Sequence, residues 1–242
     1  MKDIELWYGD CLELMNNIPD ESIDMILADL PYERTRNQWD SMIDLNYLWQ
    51  QYERIIKKKG AIALFADGMF MAKLMISNEK LWRYNVVWDK KLASGFLNAN
   101  KMPLRQTEEI VIFYKNHGIY NPQKILGNKN HSQGKEKVNK NNNYGKRNFQ
   151  DNAEKLGNMK HPTSLISISK THPSKMIHPT EKPIELLEWL IKTYTNELDL
   201  ILDNVMGSGS TGVACKNLNR KFIGIEKEKK YFDTAVDRIN NT

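Results

Sequence analysis

The chain has 242 residues, 40% of them hydrophobic, which is enough to bury one substantial core as a single large domain or as a domain with a small addition. No apolar stretch approaches the ~20 residues that span a bilayer, and Met1-Lys2-Asp3-Ile4-Glu5 lacks the apolar core of a secretion signal, so a cytoplasmic protein without a membrane segment is expected. The net charge of +5 is uneven: residues 115–177 hold 12 Lys and Arg against 3 Asp and Glu, which is +9 there and −4 elsewhere, an electrostatic footprint for a phosphate backbone or a solvated insert.

Apolar runs bounded by turn residues alternate with helical patterns, predicting an α/β domain with a mostly parallel sheet. The first strand is expected at 23–28 and ends in Asp29-Leu30-Pro31-Tyr32. An exocyclic amine of a nucleobase is a poor nucleophile because its lone pair is delocalised into the ring. Here Asp29 can accept one N–H, the carbonyl of Leu30 the other, and Tyr32 can stack on the ring. Pro31 biases Leu30 to an extended conformation that aims this carbonyl.

Leu45, Leu48, Trp49, Tyr52, Ile55 and Ile56 follow a helical stripe read as core packing. Strands are then expected at 60–65, 85–88 and 110–114. From His117 to Lys175 the periodicity dissolves into Asn, Lys, Gly, Ser and His, too long a stretch for a passive loop. Four of the five histidines fall there, irregularly spaced and without cysteine partners, so no metal site is expected. The two cysteines, Cys11 and Cys215, exclude a disulfide framework and are read as reduced, buried small residues.

After Pro183, Ile184, Leu187, Leu190 and Ile191 mark another helix, with Pro183 in its first turn. A strand expected at 198–202 leads through Asp203 into Gly207-Ser208-Gly209-Ser210-Thr211-Gly212, and a last strand at 222–226 ends in Glu226, placed to accept ribose hydroxyls. Val213 stands where a P-loop requires Lys, which excludes that motif and leaves NAD or S-adenosylmethionine. Asp203 favours the second, since a carboxylate there would repel a pyrophosphate but can take hydrogen bonds from a methionine ammonium. Free N–H groups where a helix opens near Thr211 suit a carboxylate.

With these motifs in this order, the chain resembles the S-adenosylmethionine-dependent amino DNA methyltransferases, the N6-adenine/N4-cytosine family, in the beta-type order that puts the catalytic motif before the cofactor loop. Three further stretches carry the resemblance: Gly9-Asp10-Cys11, Glu108 to Lys115, and His178-Pro179-Thr180-Glu181-Lys182-Pro183. Two departures stand out, Leu30 for a proline of the usual Asp-Pro-Pro-Tyr, and Val205 for the aromatic of the second signature.

The resemblance implies a Rossmann-like, doubly wound sheet with permuted motif order and an inserted basic segment. It assigns 1–115 to a catalytic half, 116–176 to target recognition and 177–242 to a cofactor-binding half. Asp29, Leu30, Pro31 and Tyr32 are its catalytic residues; Asp10, Cys11, Thr180, Lys182, Asp203, Gly207, Ser208, Gly209, Thr211 and Glu226 would bind S-adenosylmethionine. DNA is the implied substrate, flipped out of the duplex and methylated at adenine N6, and a homodimer and a cognate restriction enzyme are possible partners. N4 of cytosine is the rival product, and an NAD-dependent oxidoreductase or a non-catalytic nucleic-acid-binding module the rival classes.

Overall fold

The computed structural model describes residues 3–31, 43–129, 157–170 and 181–242. It has two compact units, the first Met1–Asn121 with Ser164–Thr242, the second Pro122–Thr163. In chain order the elements begin with β1 (Ile4–Tyr8), α1 (Cys11–Leu14) and β2 (Ile23–Ala28), then α2 (Leu45–Ile55), β3 (Ile56–Ala66) and α3 (Gly68–Ser77). β4 (Trp82–Ser94) and β5 (Arg105–Phe113) follow, and the second unit contributes β6 (Ile125–Leu126) and β7 (Met159–Lys160), an antiparallel pair. The chain closes with β8 (Leu165–Ser167), α4 (Ile184–Tyr194), β9 (Leu200–Asp203), α5 (Ser210–Asn217), β10 (Lys221–Glu226) and α6 (Lys229–Asn240). Among the described residues no helix is long and apolar enough to cross a membrane.

The first unit is one sheet in the order β1-β10-β9-β2-β3-β5-β4-β8. Pairing is parallel from β1 to β3, antiparallel from β3 through β5 to β4, and parallel again between β4 and β8. The central strands are covered on both faces, so they read as nearly continuous apolar runs. Alternate residues separate the two cores. Ile26, Ala28, Leu64 and Val111 pack with Leu48, Trp49, Tyr52 and Ile55 of α2. Met25, Leu27, Phe65 and Ile110 pack with Leu187, Leu190 and Ile191 of α4. Asp24, the polar residue inside β2, is satisfied by the Lys57 ammonium at 2.7 Å and the Leu200 N–H at 2.9 Å.

The order reverses between β9 and β2: β9 continues to β10 on one side, β2 to β3 on the other. Ile26 lies beside Leu202, so Asp203 is level with Leu27 and Asp29 stands two residues further along. A doubly wound sheet opens its ligand crevice at this point, outside the carboxyl ends of the strands.

The expected strands at 85–88 and 110–114 are the better-buried parts of longer ones, the middle of β4 and the carboxyl end of β5, because the remaining residues are more exposed and carry no apolar pattern. β1, whose residues are half-buried, and α3 had no predicted counterpart. Pro183 sits one step earlier than its expected place, at the cap of α4 rather than in the first turn. β8 lies inside the stretch read as irregular; Ile166 and Ile168 are buried against the sheet, and the Trp88 indole donates to the Ile168 carbonyl at 2.8 Å. The second unit is therefore narrower than 116–176.

The exit from β5 toward the second unit is pinned to the first. Lys115 donates to the Glu53 carbonyl at 2.6 Å and Asn121 to the Lys192 carbonyl at 3.1 Å. A Cβ on Gly118 would lie 1.9 Å from the Lys59 carbonyl oxygen, backbone that cannot swing aside. Gly118→Ala should destabilise the protein by roughly 1–3 kcal/mol, the range for overpacking. Urea unfolding checks this, and an unchanged midpoint would contradict the close approach.

Candidate active site

The glycine loop between β9 and α5 reverses the chain with two left-handed residues, Gly207 (φ 52) and Gly209 (φ 79), conformations that side chains resist. Gly212 answers a different need. A Cβ there would lie 2.4 Å from Ile239 Cδ1 and 2.8 Å from Phe222, so its absence lets α5 pack against α6 and β10. Asp203 holds the loop: its carboxylate accepts the Thr211 hydroxyl at 2.6 Å and the Val205 N–H at 3.2 Å. Glu226 holds the other end, accepting the N–H groups of Gly207 at 2.9 Å and Glu228 at 2.7 Å. Each carboxylate oxygen can accept a second bond, which leaves Glu226 able to receive hydroxyls.

Asp29, past the end of β2, meets Lys182 at 2.7 Å, and the same ammonium lies 2.8 Å from Glu108 of β5 and 4.8 Å above the Phe65 ring. Lys90 approaches the far oxygen of Glu108 at 3.8 Å. Both lysines and Glu108 are largely buried, and burial holds the Lys90 ammonium below its ordinary pKa, with the nearby Glu108 opposing that shift. A second buried pair, Glu181 with Arg238 at 2.6 Å, ties the segment ahead of α4 to α6; Arg238 also donates to the Ser210 hydroxyl at 3.0 Å.

These groups surround a cavity of about 270 Å³. Among the described residues its wall carries seven carboxylates, Asp10, Asp29, Asp44, Glu181, Asp203, Glu226 and Glu228, against two lysines, Lys182 and Lys227. Such a wall repels a pyrophosphate and attracts a cation. Burial pushes the Asp203 carboxyl up to about 7 and raises Glu226 as well, so a positive ligand would restore charge to both. Cys11 also lines it, its thiol pushed up to about 11 by burial and therefore protonated at neutral pH.

Asp29, Pro31, Asp10, Cys11, Lys182, Asp203, Gly207, Ser208, Thr211 and Glu226 all line this cavity. Gly209 shapes the turn, and Leu30 is buried in the core beneath Asp29, which fixes the backbone between Asp29 and Pro31. Tyr32 and Thr180 lie outside the described residues. Lys182, expected at the methionine end of the cofactor, is engaged by Asp29 and Glu108. Sequence reasoning placed Glu108 and Glu181 in stretches that carry the resemblance without giving either a role, and passed over Arg238. A charged residue just ahead of an apolar run was the one available signal for Glu108; none marked Arg238 on its polar helix face.

The fold is that of class I methyltransferases, which use S-adenosylmethionine, and here it carries an acidic cavity at the switch point beside the glycine loop. A family model for N6/N4 methyltransferases, described as DNA methylase, matches residues 23–237, and the chain belongs to this family of DNA methyltransferases. Type II methyltransferase M.HinfI of Haemophilus influenzae is 28% identical, covering 96% of this chain and 67% of that protein. M1.MboII of Moraxella bovis is 26% identical over 96% and 94%. The crystal structure of M1.HpyAVI in complex with SAM superimposes with a TM-score of 0.68 at 25% identity, covering 98% and 99% of the two chains. The cytosine-N4-specific PvuII methyltransferase shares the fold, with a TM-score of 0.69 at 17% identity.

The donor set fits this cofactor. Asp203 and the loop after it would face the methionine part, Glu226 the ribose and Asp10 the adenine. A buried carboxyl at about 7 binds its proton more tightly folded than unfolded, so this group makes the ligand-free protein less stable as pH rises from the ordinary carboxylate range through about 7. Asp203→Asn, which keeps an acceptor for Thr211, removes that contribution. Urea midpoints at about pH 5 and about pH 8 should lie closer together in the variant than in wild type. Equal spacing would contradict a buried ionisation at Asp203.

Proposed function

We propose that this methyltransferase modifies N6 of adenine within one short DNA sequence. The observation that carries the reading is Asp29, held at the switch point by a charge-assisted bond from Lys182 and facing the cavity beside the cofactor loop. When bound, S-adenosylmethionine supplies an electrophilic methyl group on a positively charged sulfur. The chain supplies the geometry. Asp29 takes one N–H of the amine and stabilises the positive charge that grows on nitrogen; the Leu30 carbonyl takes the other; Tyr32 stacks on the base. In-line attack needs no enzyme nucleophile, consistent with buried, protonated Cys11 and Cys215. A negative first residue suits the more extended adenine, whose larger ring also gives Tyr32 more surface.

The basic stretch 116–176 is read as the target-recognition region, with Pro122–Thr163 its compact part. The relatives' type II names support site-specific modification alongside a restriction enzyme cutting the same sequence, in the cytoplasm where chromosomal DNA lies.

Mass spectrometry of nucleosides from treated DNA tests the product. N6-methyladenine is expected; N4-methylcytosine would overturn the base assignment, and no methylated base would overturn the activity. Replacing 122–163 by a Gly/Ser linker should abolish methylation at the mapped site and flatten the salt dependence of DNA binding while cofactor affinity, measured by calorimetry, is retained. Unchanged site selection would place recognition elsewhere.

A further inference from the structure

The hairpin joining β4 to β5 projects past the active-site edge of the sheet. Ala66, the last residue of β3, pairs with Glu109, whereas β5 runs on toward the hairpin with Glu108 opposite Trp88, Thr107 opposite Asp89 and Arg105 opposite Ser94. The tip at 95–104 therefore stands beyond the carboxyl ends of the central strands, the edge that carries Asp29.

This tip is built, not loose. Gly95 (φ 88) turns the chain, the Asn98 N–H donates to the Gly95 carbonyl at 2.9 Å and the Lys101 N–H to the Asn98 carbonyl at 2.8 Å. Asp89 clamps its base, accepting the Lys91 N–H and the Gln106 side chain, each at 2.9 Å, and the Ser167 hydroxyl at 3.0 Å. Yet the tip presents Phe96 at 76% exposure and Leu97 at 83%, with Met102 and Leu104 exposed behind them. Exposed apolar residues gathered on one projection mark a contact surface. Residues 90–105 hold four Lys and Arg and no acid. Lys90 and Arg105 turn toward Glu108 and Asp67, at 3.8 Å each, which leaves Lys91 and Lys101 on the exposed flanks.

A cationic flank around an apolar point matches duplex DNA, with phosphates outside and a base stack inside. We propose that this hairpin is a wedge: Lys91 and Lys101 take phosphates, and Phe96 with Leu97 enters the stack to occupy the space left by the flipped target base. This rests on the reading that Asp29 receives a base taken out of the duplex. An extruded base leaves a gap and an unpaired partner, and a rigid apolar point aligned with the cavity edge stabilises that state.

The test is the double variant Phe96→Ala/Leu97→Ala, whose side chains are exposed and outside the cofactor cavity, so folding and calorimetric S-adenosylmethionine affinity should match wild type. The probes are a matched duplex carrying the site mapped in DNA from cells expressing the enzyme, and the same duplex with an abasic site opposite the target. On the matched duplex, single-turnover methylation and affinity by anisotropy should each fall by about tenfold or more; on the abasic duplex, where no pair has to be broken and no orphaned partner is left, both should stay within about twofold of wild type. No loss on the matched duplex would overturn the wedge. Equal loss on both would reduce the tip to a general contact and overturn it too. Wild-type affinity no higher for the abasic duplex than for the matched one would instead overturn the flipped-base reading on which the wedge rests, since removing the pairing partner would then ease nothing.

Discussion

One ammonium group joins three parts of this site that lie far apart in sequence. Lys182 reaches Asp29 at 2.7 Å and Glu108 at 2.8 Å, linking the segment ahead of α4 to the end of β2 and to β5. Buried ion pairs of this kind seldom add net stability, because desolvation cancels much of the attraction. Their value is in direction. With two carboxylates drawn to one cation, Asp29 has a fixed orientation at the mouth of the cavity. Removing the cation would leave like charges crowded together.

The cofactor half is organised by the opposite sign. Asp203 gathers Thr211 and Val205, Glu226 gathers Gly207 and Glu228, and both carboxyls are raised by burial until a cation arrives. Asn204, beside Asp203, accepts from the buried Tyr52 hydroxyl of α2 and donates to Cys11 of α1 at 3.5 Å. Helices on the far side of β2 are thereby tied to the glycine loop. Val205 packs against the same core, so the departure from an aromatic at this place is accommodated by the apolar residues around it.

Much of this was legible because burial writes itself into sequence. The central strands are covered on both faces and read as apolar runs, while the glycines at 207, 209 and 212 record a turn and a close helix contact. Asp29 and Asp203 were visible as acids at strand ends. What escaped has physical reasons. β4 and β5 extend through exposed residues whose strand character comes from their ladder partners, and β8 owes its place to Trp88 rather than to its three residues. Lys182 could be found, but not its partners, since an ion pair between residues 74 and 153 positions away leaves no periodicity. The hairpin tip drew no assignment, because exposed apolar residues look the same in sequence as buried ones.

The central claim is that Asp29 acts on the target amine and not on the cofactor. It is tested most directly by Asp29→Asn, which preserves shape while removing the charge, measured by single-turnover methyl transfer alongside calorimetric S-adenosylmethionine affinity. Loss of a preorganised electrostatic contact of this kind should slow transfer by on the order of 10²–10³-fold while cofactor affinity stays within a few fold. Transfer at the wild-type rate, or a collapse of cofactor binding that accounts for the whole loss, would contradict it.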